Sequence, residues 1–198
     1  MNEQQKLQQR FQNKMNNAQG HYFEQFILGG CSYYMEKGLA SVTKMPEPFK
    51  VLKKDDRTGI ATVRFIKKAQ PDFIGTLKGG RTVVFEAKRT GTDRIKDNVL
   101  TETQRDSLER HFITGAYTGV CAGIGDINYF IPWEVWRDMK KLFSHKYMTA
   151  AEAEPYRVKF NGVILFLDFV HKEMQMRYGL AGSLQADVLK GRYYENGL

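Results

Sequence analysis

Residues 70–90, QPDFIGTLKGGRTVVFEAKRT, restrict the fold more than any other stretch of the chain. Gly75 and Lys78-Gly79-Gly80 break the backbone, and β-branched and aromatic residues then fill Arg81 to Lys88. Such a run bounded by glycines predicts a β-hairpin. Successive strand side chains point to opposite faces. Thr82, Val84, Glu86 and Lys88 therefore share one face, and Arg81, Val83, Phe85 and Ala87 the other. Glu86 and Lys88 stand roughly 7 Å apart along the strand, and the hairpin brings Asp72 to the same end.

Two carboxylates and a lysine at one sheet edge suit phosphodiester hydrolysis. Hard oxygen ligands hold Mg²⁺, which keeps several waters, lowers the pKa of bound water and polarises a phosphate oxygen. A nearby lysine orients the attacking water and offsets developing charge. The plainer alternative is an exposed Glu86–Lys88 ion pair, with Asp72 capping a turn. Context favours the chemistry, because the carboxylates interrupt an apolar strand in a chain whose formal charge is +8. A basic excess of that size points to a polyanion, nucleic acid being the commonest.

The same residues resemble a known family. Pro71-Asp72 followed by Glu86-Ala87-Lys88 looks like the PD-(D/E)xK nuclease signature. Asp72-Phe73-Ile74-Gly75, a Lys-Gly turn, Phe85-Glu86-Ala87-Lys88 and Thr90 are more specifically similar to RecU-type Holliday junction resolvases, bacterial or phage-encoded. The likeness continues through Met45-Pro46-Glu47-Pro48, Gln104 and Gly119. It implies an α/β fold of restriction-endonuclease-like type, a mixed twisted sheet flanked by helices with a projecting β-hairpin stalk. It also implies a Mg²⁺ site, open to Mn²⁺, with Asp72 and Glu86 as ligands, the Ala87 carbonyl as a third oxygen and Lys88 beside the water. Four-way DNA junctions are the implied substrate. Symmetric cutting needs two active sites, hence a homodimer.

Along the chain, residues 1–19 are rich in Gln, Asn and Lys and read as a flexible basic arm, with Leu7, Phe11 and Met15 giving only a narrow apolar stripe. Phe23, Phe26, Ile27, Gly30 and Tyr34 form a firm helical stripe that Gly38 ends. Glu24, on a neighbouring face, is either solvated or, as the resemblance implies, a further acidic residue of the site. Residues 39–44 read as a short strand.

Residues 46–69 alternate apolar and basic side chains around Asp55-Asp56-Arg57-Thr58-Gly59. This is either a solvated edge hairpin or the stalk, on which Lys53, Lys54, Arg57, Arg64, Lys67 and Lys68 meet phosphates. Arg89 opens a polar loop expected over residues 89–98 and is a further DNA-contact candidate. Thr101 and Gln104 form a capping box. Gln104 either only closes that cap or, as the resemblance implies, also faces the metal site.

Residues 117–124 and 127–131 read as core strands, and a helix from Pro132 through Trp133 and Trp136 to Phe143 follows. Lys140, Lys141, His145 and Lys146 read as a basic exit that a solvated surface would explain. A final hairpin is expected over residues 157–169 through Asn161-Gly162.

The expected organisation is one nuclease domain over residues 20–170 and a tail over 171–198 with no assigned role. Cys31 and Cys121 lack C-x-x-C spacing and no apolar run reaches spanning length, so the expected setting is a bacterial cytoplasm or a phage-infected host cell, without membrane association or a nucleotide cofactor. The function expected is a Mg²⁺-dependent endonuclease resolving four-way junctions. The alternatives are a general PD-(D/E)xK nuclease on duplex or fork DNA, and a non-catalytic DNA-binding accessory protein.

Overall fold

Gly79 and Gly80 adopt φ of +96° and +89°, which strain any residue bearing a Cβ, and they turn the chain back on itself at an exposed bend within residues 70–90. The computed structural model describes residues 3–66 and 70–168. In chain order the elements are helix α1 (Glu3–Glu36), then strands β1 (Ala40–Lys44), β2 (Phe49–Asp55), β3 (Ile60–Phe65), β4 (Phe73–Leu77), β5 (Thr82–Thr90) and β6 (Arg94–Lys96). Helix α2 (Glu102–Ile113), strands β7 (Tyr117–Ile124) and β8 (Ile127–Pro132), and helices α3 (Trp133–Arg137) and α4 (Met139–Phe143) follow. Strand β9 (Tyr147–Thr149), helix α5 (Ala150–Ala153) and strands β10 (Lys159–Phe160) and β11 (Ile164–Leu165) complete the order.

Five strands form one sheet in the order β1-β4-β5-β7-β8. β5 and β7 run parallel and the other neighbours antiparallel. A parallel pair requires a long crossover, which the segment through β6 and α2 provides. The result is the mixed sheet flanked by helices expected from the sequence.

α1 covers one face, where Phe23, Ile27 and Tyr34 meet Val83, Phe85 and Phe166. Phe73 stacks on Phe85 with centroids 4.9 Å apart. The helix comes so close that a Cβ at Gly30 would lie 2.2 Å from the Ile164 carbonyl oxygen. The opposite face packs Val84, Val120, Leu108, Trp133 and Trp136. Each fully buried side chain of this kind contributes about 1.5–3 kcal/mol. β5 is thus clamped between two apolar layers, and its one buried acid, Glu86, is held on a rigid strand.

The structure departs from the sequence reading in several places. The chain is helical from Glu3, so residues 3–19 of the stretch read as an arm form the first turns of α1, and residues 1–2 lie outside the described residues. Extending a helix fixes one residue per hydrogen bond, whereas nucleating one fixes several, and the packed stretch around Phe23 to Tyr34 provides the nucleus. The loop expected over residues 89–98 is instead the end of β5, then β6, whose buried Ile95 pairs with Met148 of β9. The helix expected from Trp133 to Phe143 breaks at Asp138, where ψ is +16°. The last hairpin is shorter than expected, because Phe166 and Leu167 turn into the core and the Leu167 N–H donates to the Tyr34 hydroxyl at 3.1 Å. The tail over residues 171–198 lies outside the described residues. Among the described residues no helix is long and apolar enough to cross a membrane.

Candidate active site

The register of the central hairpin pairs Phe73 with Phe85, so Asp72 falls one step further on, facing Glu86. Asp72 Oδ2 accepts a hydrogen bond from the Ala87 N–H at 2.9 Å, and the carboxylate is thereby fixed to β5 although β4 has not yet begun. Lys88 Nζ lies 3.0 Å from Glu86 Oε2 and 3.4 Å from Asp72 Oδ2. One ammonium thus bridges both acids. Gln104 closes its cap and also reaches Glu86. Its Oε1 accepts from the Thr101 N–H at 3.1 Å, closing the capping box of α2, and its Nε2 donates to Glu86 Oε2 at 2.5 Å.

Burial dominates the electrostatics. The Glu86 side chain is 0% exposed, and desolvation, followed by the charge of Asp72, pushes its carboxyl up to about 8 against the pull of Lys88. Burial also opposes the charge on Lys88, but the two carboxylates outweigh it and hold the ammonium above its ordinary value. Glu86 Oε1 is buried with no hydrogen-bond partner. An orphan oxygen of this kind on a rigid strand calls for a ligand.

A hard divalent cation fits these residues. Asp72 and Glu86 offer carboxylate oxygens, and the orphan Glu86 Oε1 is the donor atom that most needs a partner. The Ala87 carbonyl is a candidate third oxygen. Continuing the register sets Pro71 opposite Ala87, and a proline has no N–H to give that carbonyl. Among the described residues no group of three or more His, Cys, Asp or Glu side chains is poised to hold a metal, so the remaining positions would fall to backbone, water or phosphate oxygens. Mg²⁺ is usually bound in that way.

Asp72 and Gln104 open onto a cleft of about 830 Å³ whose wall includes Glu24, Lys44, Phe65 and Ile66. Glu24 therefore reaches the expected cleft, but its Oε2 is paired with Lys44 Nζ at 2.5 Å instead of joining Asp72 and Glu86. Lys44 carries no motif and was not legible as a site residue. Only the pairing of β1 with β4, which sets Lys44 opposite Phe73, brings it there.

β2 and β3 form a separate two-stranded ribbon, whose base residues Phe65 and Ile66 line the same cleft. The register skips Leu52, a β-bulge. The skip keeps the faces sorted. Lys50, Lys53 and Arg64 fall with Thr62 on one face, while Phe49, Val51, Val63 and Phe65 fall on the other. Lys54 is exposed and paired with Asp56 at 2.7 Å, and Arg57 is exposed at the turn. Lys67 and Lys68 lie outside the described residues. Arg89 does not join this set. It lies on the face of β5 opposite Glu86 and Lys88, donates to the Gly125 carbonyl at 3.0 Å and approaches Asp126 at 3.8 Å, bracing the β7–β8 turn.

The profile of the RecU family, Recombination protein U, matches residues 18–172. The chain belongs to the RecU family. Over 75 residues it is 36% identical to the Holliday junction resolvase RecU of Streptococcus sanguinis strain SK36, a match covering 36% of this chain and 37% of that protein. It thus spans little more than a third of that RecU relative. Among solved structures, the Holliday junction resolvase Hjc of Archaeoglobus fulgidus is similar with a TM-score of 0.45 and 10% identity, over 75% of this RecU chain and 98% of that one.

Proposed function

We propose that this chain is a metal-dependent endonuclease that cuts four-way DNA junctions by paired nicks. The observation that carries the reading is the Lys88 ammonium bridging the buried Glu86 and Asp72, the second of which lines an open cleft. A pure DNA-binding protein gains nothing from two acids facing phosphate, which they repel. Membership of the RecU family, and the resolvase name of the Streptococcus sanguinis relative, support the junction as substrate.

Asp72, Glu86 and the Ala87 carbonyl would hold Mg²⁺ or Mn²⁺. The ion, when bound, supplies Lewis acidity at a phosphate oxygen and acidifies water. The chain's own groups do the rest. Lys88 has three N–H donors, of which Glu86 and Asp72 take two, leaving one to orient the attacking water or meet the charge growing on the phosphate. Gln104 fixes the Glu86 carboxylate from the side, and the rigid strand between two cores keeps these atoms in register. Lys50, Lys53 and Arg64, on one face of the ribbon beside the cleft, attract the backbone of the junction. Cutting opposite strands calls for two such sites, so the working form is a homodimer.

The test is Glu86→Gln, which keeps the shape and the hydrogen bonding but removes the ionisable oxygen. Junction binding retained with cutting lost, and cutting by the parent lost in EDTA, is the expected result. Cutting by Glu86→Gln at the parent's rate would contradict the assignment.

A further inference from the structure

Four lysines without any role in the chemistry above sit on adjoining elements: Lys96 on β6, Lys140 and Lys141 on α4, which packs against β9, and Lys146 just before β9. All four are exposed, and among the described residues none has an ion pair. The neighbouring acids are already taken. Asp93 is held by Arg94 at 3.0 Å, Asp97 by Arg105 at 3.5 Å, Asp138 by Arg137 at 3.2 Å, and Glu152 by His145 at 3.1 Å. Three arginines and His145 hold these carboxylates, and the four lysines are left without an acidic partner.

The surface is also anchored to the active site. The Asp97 N–H donates to the Lys146 carbonyl at 3.0 Å, and Lys96 is paired with Tyr147, so β6 and the start of β9 form one unit. Arg105, next in sequence to Gln104, donates to the Asp97 carbonyl as well as pairing with its carboxylate. The ribbon therefore continues from the α2 lip of the cleft, whereas β2 and β3 rise from the wall that holds Phe65. Lysines on flexible stems, with no planar bidentate geometry demanded of them, suit a phosphate backbone read as a line of charge.

We propose that the β6–β9 ribbon and α4 form a second DNA surface that takes the phosphate backbone of a duplex arm leaving the cleft. The proposal rests on the nuclease reading and adds to it where an arm runs. The lysines act through charge and not through sequence, so their contribution depends on salt and on arm length.

The experiment compares the full-length parent with Lys96→Gln, Lys140→Gln, Lys141→Gln and Lys146→Gln combined, measuring affinity over a range of salt for short-armed and long-armed four-way junctions. Each lost phosphate contact lowers the log–log salt slope by about 0.9, so the combined variant is expected to lose about 3.6 in slope on the long-armed junction and nothing on the short-armed one. The corresponding four Lys→Arg changes should restore the slope. A slope unchanged on long arms overturns the proposal, as does an equal loss on both substrates. A parent that binds neither junction overturns the nuclease reading, and the proposal with it.

Discussion

The side-chain amide of Gln104 joins the start of a helix to the buried acid of β5: its oxygen closes the α2 cap at Thr101 while its nitrogen lies 2.5 Å from Glu86 Oε2. Loss of a cap typically costs about 1 kcal/mol, and loss of the donor releases the Glu86 carboxylate. Gln104→Ala should therefore lower both stability and cutting. Gln104→Glu preserves a capping-box acceptor but sets a third acid against Glu86. It should keep the parent's Tm more nearly than Gln104→Ala and still lose cutting by about 100-fold. Thermal melts beside single-turnover cutting separate the two effects.

Glu86 gives the fold a pH dependence of known sign. Its folded-state value of about 8 lies above the ordinary 4.5, because burial and Asp72 disfavour its charge. A raised value means that the folded protein holds the proton more tightly, so the associated stability is full below about pH 4.5 and is lost as pH rises through about 8. In EDTA the parent should lose Tm between pH 5 and pH 9 relative to Glu86→Gln, which has no such proton to lose. Parallel Tm profiles for the two proteins would contradict this.

Lys88 offsets the repulsion between Asp72 and Glu86, as a divalent cation would. Lys88→Ala should reduce cutting by about 1,000-fold and leave the two carboxylates facing each other. Mg²⁺ should then raise the Tm of Lys88→Ala by more than it raises that of the parent. Calorimetric melts with and without Mg²⁺ read this directly.

The ribbon and Arg89 give opposite expectations for basic residues. Lys53→Gln with Arg64→Gln removes two charges from one face, and the salt slope for junction binding should fall by about 2. Arg89→Ala should leave that slope unchanged, because its guanidinium braces Gly125 and Asp126 on the other side of the sheet. It should instead lower stability by about 1 kcal/mol, in line with one lost hydrogen bond.

Much of this was legible in the sequence because alternation on a strand is a strict rule. Period two placed Glu86 and Lys88 on one face, and the glycines at 79 and 80 brought Asp72 back to them. The capping box at Thr101 fixed where α2 starts, and hence where Gln104 points. What local pattern does not encode is pairing between distant segments. β6 and β9 are three residues each, too short to show a period, and each exists because the other is there. Lys44 reaches the cleft through the pairing of β1 with β4. Arg89 follows the apolar run in sequence, so local pattern assigns it to a loop; the continuation of β5 to Thr90 sets it on the face opposite Glu86 and Lys88.

The most direct measurement incubates the purified protein and Mg²⁺ with an immobile four-way junction, and separately with a linear duplex of the same sequence, beside an Asp72→Asn variant and EDTA controls. The account predicts paired nicks in opposite strands of the junction, little cutting of the duplex, and no cutting with the variant or in EDTA. Tight binding of the junction with no cutting in either Mg²⁺ or Mn²⁺ would contradict it, and equal cutting of both substrates would contradict its choice of the junction.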